Sequence, residues 1–340
     1  MTASLKIIKL KCTVRALREV SLGNRDHLGN TLRGAFGSTL AWLYDDHPDR
    51  RFRNMRNLIF KNETVADYRN QVLGITAKRG NYPNPFLLEC CKLENTHLDP
   101  DDLFSFNVTL LGAATNYVSE VAIVIRKICG GRIGRDIDAF ACESIVDFQT
   151  GKDLLESPDA IEKDEVYRWR EDEYDAEAFL FDSRLTVAFI EETFLSETAM
   201  EYSGPIRGIA ERGLPFYDFI RAVLSRVTLL CNGYGSGASD DLILKDLLLG
   251  AQHVQIAAHD LHEERFFNHS RTSFGKKIPV KGFTGMIEYT ECPADYLPYI
   301  KLGAFLHIGG MATRGLGHYV YSTDGDKFSA PYVVSPLTFV

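Results

Sequence analysis

Apolar and polar positions follow two periods along the chain, and their order predicts its secondary structure. Residues 5–17, "LKIIKLKCTVRAL", alternate in places and predict a strand. In residues 25–46 leucine and alanine recur at helical spacing and predict a helix. The same criteria predict a further helix at 115–131 and strands at 82–91, 101–112 and 138–148. The first half therefore has the order β-α-β-β-α-β of a ferredoxin-like unit.

The second half has the similar order β-α-(α)-β-α-β. Strands are predicted at 183–195, 278–291 and 316–322, and helices at 215–233, 240–267 and 295–310. The segment between the halves is strongly acidic and predicts an exposed linker or hairpin. We therefore predict an α+β protein of two tandem ferredoxin-like (RRM-like) βαββαβ domains. They span 1–150 and 181–340 and are separated by an acidic linker or insertion at 151–180.

Charge is segregated along the chain, although the net charge of the 340 residues is only −8. Residues 151–177 hold 11 acidic and 4 basic side chains, whereas residues 50–79, a segment with the composition of a loop, hold 8 basic and 2 acidic ones. A basic stripe beside an acidic insertion is compatible with a polyanionic ligand. A solvated face that happens to be basic is the alternative.

Composition narrows the class of protein further. The chain is 45% hydrophobic and has the composition of a globular protein. No apolar run approaches the ~20 residues of a membrane span, and the N-terminus does not have the pattern of a signal peptide. The seven cysteines form no CxxC motif, and most lie in apolar stretches, which favours reduced thiols and the cytoplasm. No cysteine–histidine spacing predicts a metal site, and we expect no cofactor.

A glycine-rich segment near the C-terminus, "HIGGMATRGLGHYVY" (307–321), follows a predicted helix and precedes a predicted strand. A dinucleotide-binding fingerprint has the reverse order, strand before helix, and no GxxxxGK[ST] motif is present. The glycines allow a positive φ and the close approach of another backbone, and their N–H groups together with Arg314 suit an anion.

This segment and its surroundings resemble a known family. With the preceding "VKGFTGMIEY", it resembles the C-terminal glycine-rich loop of the RAMP (repeat-associated mysterious protein) superfamily of CRISPR systems. Within that superfamily, the chain most resembles the endoribonucleases that process CRISPR precursor RNA. "LGNTLRGAFG" (28–37) and "FSFNVTLLGAA" (104–114) resemble the first helix and a strand of that family.

The resemblance implies two ferredoxin-like domains with a cleft between them. It also implies metal-independent cleavage of RNA within each repeat to give mature guide RNAs. The adjacent 2′-hydroxyl would attack the phosphodiester and leave a 2′,3′-cyclic phosphate and a 5′-hydroxyl. The implied partners are CRISPR repeat RNA, other subunits of a CRISPR effector complex and a second copy of the chain, and no membrane.

Two histidines are candidates for acid–base catalysis, since histidine exchanges a proton near neutral pH. In this family a catalytic histidine commonly sits near, or just past, the end of the first helix, where His47 lies here. Some members use a second one near the start of that helix, where His27 lies. A straight helix between them would hold them some 30 Å apart, so either the chain folds back or only one is catalytic. We prefer His47, because it lies in a polar loop beside arginines.

The expected RNA-binding residues are basic side chains and the glycine loop. They are Arg33, Arg50, Arg51, Arg53, Arg271, Lys276, Lys277, Lys281, Gly309, Gly310, Arg314, Gly315 and Gly317. Two other functions stay open on the sequence: a non-catalytic RAMP subunit that binds guide RNA, and a ferredoxin-like small-molecule or RNA-binding enzyme outside CRISPR systems.

Overall fold

The structure is a computed structural model, and it describes most of the chain. The described residues are 3–21, 28–46, 50–61, 65–78, 82–90, 97–133, 136–162, 165–171, 183–195, 208–269 and 277–323.

The first half contains eleven described strands and three α-helices. The strands are β1 (Ser4–Ala16), β2 (Val20–Ser21), β3 (Tyr68–Asn70), β4 (Ile75–Ala77), β5 (Phe86–Cys90), β6 (His97–Leu98), β7 (Leu103–Leu111), β8 (Arg132–Ile133), β9 (Asp136–Ile137), β10 (Phe140–Asp147) and β11 (Tyr167–Arg170). The helices are α1 (Leu28–Asp46), α2 (Arg50–Arg56) and α3 (Val118–Cys129), with a π-helical turn at Asn57–Lys61 and a 3-10 turn at Gly112–Tyr117.

The main sheet of this half has the strand order β10-β1-β7-β5, and every neighbouring pair is antiparallel. The first strand of the unit thus lies between the last and the third, and the second lies at the edge. This is the arrangement of a ferredoxin-like unit, with α1 joining β1 to β5 and α3 joining β7 to β10. Strands β2–β6, β3–β4 and β8–β9 form short two-stranded ribbons.

The second half repeats the plan. Its described elements are β12 (Leu185–Thr193), α4 (Ile209–Arg212), α5 (Phe216–Tyr234), α6 (Asp241–Gly250), β13 (Gln255–His269), β14 (Lys277–Thr290), α7 (Leu297–Leu306) and β15 (Tyr319–Ser322), with 3-10 turns at Ala294–Tyr296 and Ala312–Arg314. The sheet order is β13-β14-β12-β15, again antiparallel throughout. The predicted fold of two tandem ferredoxin-like units is confirmed.

An aromatic cluster fastens α1 to the first sheet. Phe36 of α1 stacks on Phe86 of β5 with ring centroids 5.5 Å apart, and Phe60 meets the Phe86 ring edge-on at 5.4 Å. Phe36 and Phe86 are almost completely buried. Since Phe60 follows α2, the cluster also folds the α2 segment back along α1.

The two halves pack through the N-terminal part of β1 and the end of α5. The backbone N–H of Ser236 donates to the Ser4 carbonyl at 3.1 Å. A Cβ on Gly235 would lie 2.2 Å from that same carbonyl oxygen, so only glycine allows this approach. The indole N–H of Trp169 donates to the Pro298 carbonyl at 3.2 Å and ties β11 to α7.

Two sequence-based predictions of local structure are wrong. Residues 240–267 are not one helix, because α6 ends at Gly250 and β13 pairs with β14 over its whole length. A register shift between Ile256 and Ala258 breaks the alternation that would have predicted this strand. Residues 50–61, which have the composition of a loop, form α2 and the π-helical turn.

The acidic segment contributes to the first sheet in its described part. Residues Tyr167–Arg170 form β11, which pairs with Ser4–Ile7 of β1 beyond the end of β10. The boundaries at 150 and 180 stay a prediction. Among the described residues, no helix is both long and apolar enough to cross a membrane, and no group of three His, Cys, Asp or Glu residues could hold a metal ion.

We expect Phe86→Ala to lower the free energy of unfolding by about 3–5 kcal/mol, because it removes the ring at the centre of the aromatic cluster and leaves a cavity. Urea denaturation measures this. Trp42→Ala on α1 is the control, because Trp42 is 52% exposed and its loss is expected to cost little. Equal losses for both variants would contradict the assignment of the cluster.

Candidate functional site

The glycine-rich loop runs from the end of α7 to β15 and is held by backbone hydrogen bonds to the end of β12. The N–H of Gly310 donates to the Phe194 carbonyl at 2.8 Å, and that of Gly317 to the Glu192 carbonyl at 2.9 Å. Glu192 lies near the end of β12, and Phe194 is the residue that follows this strand. A Cβ on Gly317 would lie 1.9 Å from the Ile308 carbonyl oxygen. These glycines therefore make room for protein backbone, and their N–H groups are already bonded.

The loop lies between the start of α1 and the edge strand β5. A Cβ on Gly29 would come within 2.2 Å of the Arg314 carbonyl oxygen, and one on Gly315 within 2.8 Å of the Leu88 carbonyl oxygen. Two glycines, one in each half, thus allow α1, β5 and the loop to approach at backbone contact. Arg314 is held directly beside the first turn of α1.

Two guanidinium groups meet at this position. Burial lowers the pKa of Arg314, and the charge of Arg33 on α1 lowers it further. Burial also lowers the pKa of Arg33, whose guanidinium lies 5.5 Å from the centre of the Phe60 ring. The buried Nε of Arg33 donates to no group in the described part of the chain. Two half-buried cations, near enough for the charge of one to lower the pKa of the other, suit an anionic ligand such as a phosphate.

A buried ionic network connects the loop to the first sheet. Lys9 of β1 contacts Glu89 of β5 at 2.7 Å, and the amide of Asn107 donates to the same carboxylate at 2.9 Å. His307, the residue after α7, lies 3.1 Å from the other Glu89 oxygen. Burial alone would raise the pKa of Glu89, but Lys9 and His307 lower it well below its ordinary value. An ionised carboxylate therefore joins the two halves.

The His307 ring is held on both sides. Its Nε2 faces Glu89, and its Nδ1 lies 3.2 Å from the Leu316 carbonyl, which can only accept. His307 also has a positive φ of 55°, which is uncommon for a non-glycine residue. The network therefore holds the residue that enters the loop in a strained conformation.

His318 completes the cluster without adding a charge. Its ring stacks on that of His307 at 4.6 Å with an angle of 4°. Burial, and then the charge of His307, lower the pKa of His318 to about 3. The ring is therefore neutral at physiological pH and serves as a flat surface for its neighbour.

The other basic candidates lie away from the loop. Arg51 of α2 forms an ion pair with the buried Glu120 of α3 and donates to the Asn116 carbonyl at 3.1 Å, which gives it a structural role. Arg53 packs over the Tyr44 ring at 4.9 Å, near the end of α1. Arg50 is exposed. This group lies at the opposite end of α1 from Arg314.

The remaining candidates are placed only in part. Lys281 on β14 stands opposite Arg265 on β13 in the sheet register. Lys277 starts β14, and only its backbone is described. His27, His47, Arg271 and Lys276 lie outside the described residues.

Histidines 253, 259 and 262, which the sequence assigned to a helix, lie elsewhere. His253 lies in the turn before β13, and the other two are on that strand. Residues 259 and 262 therefore point to opposite faces of the sheet rather than to one helix face.

Sequence reasoning missed the two residues at the centre of the ionic network. Lys9 stands in the otherwise apolar segment "IIKL" (7–10) and Glu89 in "PFLLEC" (85–90). A charged residue inside a strand that is buried on both faces is uncommon unless it is paired. Each signal was present, but the pairing across β1, β7 and β5 was not visible from the sequence.

Two family models match the chain. One, described as an N-terminal domain, matches residues 5–173, and that of the CRISPR-associated endoribonuclease Cas6 matches residues 193–319. No curated protein sequence matches the chain.

Solved Cas6 structures share the fold. A chain of the partial Cas6-RT-Cas1–Cas2 complex is 12% identical with a TM-score of 0.59, covering 97% of this chain and 47% of its own length. This chain thus spans about half of that chain. Thermus thermophilus Cas6 is 11% identical with a TM-score of 0.50, covering 95% of this chain and 99% of its own length. The Cas6 chain of a product complex is 12% identical with a TM-score of 0.52, and the match covers 93% of this chain and 99% of that one.

We expect Gly29→Ala to displace the loop from α1, because the new Cβ would overlap the Arg314 carbonyl. The affinity for RNA that the sequence leads us to expect should then fall while the secondary structure stays intact, as measured by RNA titration and circular dichroism. Gly34→Ala on the same helix is the matched control, since nothing lies within 4 Å of its Cβ. It should stabilise the helix by about 0.5–1 kcal/mol and leave RNA binding unchanged. Equal effects of both variants would contradict the contact.

We expect Glu89→Gln to lower the free energy of unfolding at pH 7 by about 3–5 kcal/mol, because it leaves the Lys9 ammonium buried without a counter-charge. Because the pKa of Glu89 is lowered on folding, its contribution is full above about pH 4.5 and is lost as the pH falls through the lowered value. The difference between wild type and variant should therefore shrink below about pH 4.

Urea denaturation at several pH values measures this difference. Glu143→Gln, which removes the half-exposed partner of Arg15, is the control and should cost at most about 1 kcal/mol. A Glu89→Gln effect that stays constant down to pH 2 would contradict an ionised Glu89.

Proposed function

Because this chain carries the domain of the Cas6 endoribonuclease family over residues 193–319, we propose that it cleaves CRISPR precursor RNA within the repeats to give mature guide RNAs. The observation that carries this proposal is the pair Arg33 and Arg314, held together where the glycine-rich loop contacts the start of α1. The pair is a binding position for one phosphate, and His27 precedes Leu28, the first residue of α1, in the sequence.

The proposed chemistry needs no metal. A general base takes the proton of the 2′-hydroxyl, and the 2′-oxygen attacks the adjacent phosphorus. The bond from phosphorus to the 5′-oxygen breaks, and a general acid gives that oxygen a proton. The products are a 2′,3′-cyclic phosphate and a 5′-hydroxyl. Arg33 and Arg314 would stabilise the charge that builds on the non-bridging oxygens.

We propose His27 rather than His47 as the acid–base residue. Helix α1 has 19 residues and is about 27 Å long, so its two ends cannot serve one phosphate. The loop contacts α1 at Gly29, near its start, and His47 follows its other end. This reverses the preference drawn from the sequence, where the arginines after His47 carried the argument.

The proposed partner is CRISPR repeat RNA, and other CRISPR proteins or a second copy of the chain would join it in the cytoplasm. One similar solved chain belongs to a Cas6-RT-Cas1–Cas2 complex, which supports contact with CRISPR proteins. Arg50 and Arg53 of α2, and the opposed Arg265 and Lys281, would hold RNA phosphates outside the site.

We expect the protein to cut repeat RNA in EDTA, and His27→Ala to slow the single-turnover rate by roughly 10²–10⁴-fold while RNA binding is retained. Products are identified by their cyclic phosphate ends. His47→Ala is the matched control, and we expect it to cut at nearly the wild-type rate.

Tight binding without any cleavage in EDTA would remove the proposed activity and favour an RNA-binding subunit. A slow His47→Ala with a normal His27→Ala would instead move the acid–base role to the far end of α1. Normal rates for both variants would leave catalysis to Arg33 and Arg314 and contradict the histidine proposal.

A further inference from the structure

A cavity of about 330 Å³ lies where the segment after β10 closes over β1. It occupies the gap between β10 and β11, which pair with consecutive parts of the same edge of β1. Helix α7 of the second half supplies the wall formed by Phe305. This volume accommodates a nucleoside-sized ligand, and it does not coincide with the site at Arg33 and Arg314.

Three aromatic rings line the cavity. Tyr167 of β11 and Phe305 lie 6.3 Å apart with an angle of 31° between their planes, and Phe148 follows β10. The Lys9 ammonium is 5.9 Å from the centres of both phenylalanine rings. Rings on several sides of a cavity of this size suit a flat aromatic ligand.

Two buried charged groups with unused hydrogen-bonding capacity also line it. Lys9 is 4% exposed, and Glu89 is its one hydrogen-bonding partner among the described residues, which leaves donors of its ammonium available. Asp147 is 3% exposed, and its Oδ2 accepts from both the N–H and the hydroxyl of Thr150. No group in the described part of the chain donates to Oδ1 of Asp147. The cavity thus offers a donor and an acceptor that the protein itself does not satisfy.

Charges around the cavity are compatible with a nucleotide. Lys6 of β1 and Arg168 of β11 stand directly opposite each other, one position along from the pair Ile7 and Tyr167. No carboxylate among the described residues pairs with either cation, and like charges in this position are unfavourable without an anion. Strand alternation puts them on the other face of the same edge, where a phosphate would stay outside the cavity.

The acidic segment does not oppose this arrangement. Glu165 at the cavity wall is paired with Lys152 at 2.6 Å, and Asp159 accepts from the Ser119 hydroxyl at 2.7 Å. Asp147 is therefore the carboxylate that the cavity leaves for a ligand.

We infer that this cavity binds the base of an unpaired nucleotide, stacked against the aromatic rings, with a base acceptor at Lys9 and a base N–H at Asp147. The edges of nucleobases carry both hydrogen-bond acceptors and N–H donors. Proteins recognise unpaired RNA bases by stacking them on aromatic rings and by hydrogen bonds to these edges. We take the base to come from the repeat RNA, and this part of the inference rests on the proposed function. A free nucleotide is the other source, and the experiment separates the two.

The first arm uses repeat RNA that carries 2-aminopurine at one unpaired position at a time, with wild-type protein and Tyr167→Ala, Phe305→Ala and Asp147→Asn variants. At one position we expect stacking to quench the fluorescence with wild type and not with the two alanine variants. The same variants should weaken binding of unmodified RNA by about 5- to 100-fold. Asp147→Asn should change the preferred base at that position alone.

Leu249→Ala is the control, because Leu249 is an exposed side chain on α6 away from the cavity, and it should change nothing. Tyr167 is 37% exposed, so its alanine variant is expected to fold even if Phe305→Ala does not, and it decides the first arm. Thermal unfolding of each variant verifies this.

The second arm titrates the protein with the four nucleoside monophosphates. Binding of one of them that Tyr167→Ala abolishes, without any response at an RNA position, would identify a free nucleotide as the occupant. No quenching and no nucleotide binding by wild type, or equal behaviour of wild type and Tyr167→Ala in both arms, would overturn the inference. Cleavage in EDTA is scored separately, so that the proposed activity and the base-binding cavity stand or fall independently.

Discussion

The carboxylate of Glu89 is the point on which the arrangement of the two halves depends. It accepts from Lys9 and Asn107 in its own sheet and from His307 in the other half, and all four side chains are almost fully buried. Buried charges do not stabilise a protein by themselves, because desolvation costs about as much as the attraction returns. Such a network fixes the relative positions of its members, because each side chain can be hydrogen-bonded in only one arrangement. The glycine-rich loop starts at His307, so its path is set by an ion pair formed inside the first sheet.

This explains why the loop can be rich in glycine and still hold one arginine in place. Glycines cost conformational entropy when they are ordered, and they offer no side chain to pack. Here the backbone of the loop is hydrogen-bonded to Phe194 and Glu192 on one side. On the other side it lies against Leu88 of β5 and Gly29 of α1. The fixed path brings Arg314 close to Arg33 although like charges repel. The energy that holds the two together comes from these backbone contacts, which makes the position ready for an anion before it arrives.

Most of the fold could be predicted from the sequence, because the apolar residues in each half recur with the regular periods of strands and helices. Strands β1, β7, β10 and β12 and helices α1, α3 and α5 lie within a few residues of their predicted bounds. Strand β13 was missed because a register shift interrupts its alternation, and α2 because its many arginines resemble a loop. At the site, the glycine loop and Arg314 were visible as a motif. The partnership of Arg314 with Arg33, and of Glu89 with Lys9 and His307, depends on distances between elements far apart in the chain, which no local pattern encodes.

Strand β1 has a consequence for how the chain is made. Its first residues pair with β11, and Ala3 bonds to Glu171, a separation of 168 positions. The ribosome adds about 5–20 residues per second, so this end of β1 waits roughly 10–30 s for its partner. During that time it has an unpaired apolar edge, of the kind that joins to other chains. Because the Ser4 carbonyl also accepts from the Ser236 N–H, this end of β1 is synthesised well before the residues that enclose it.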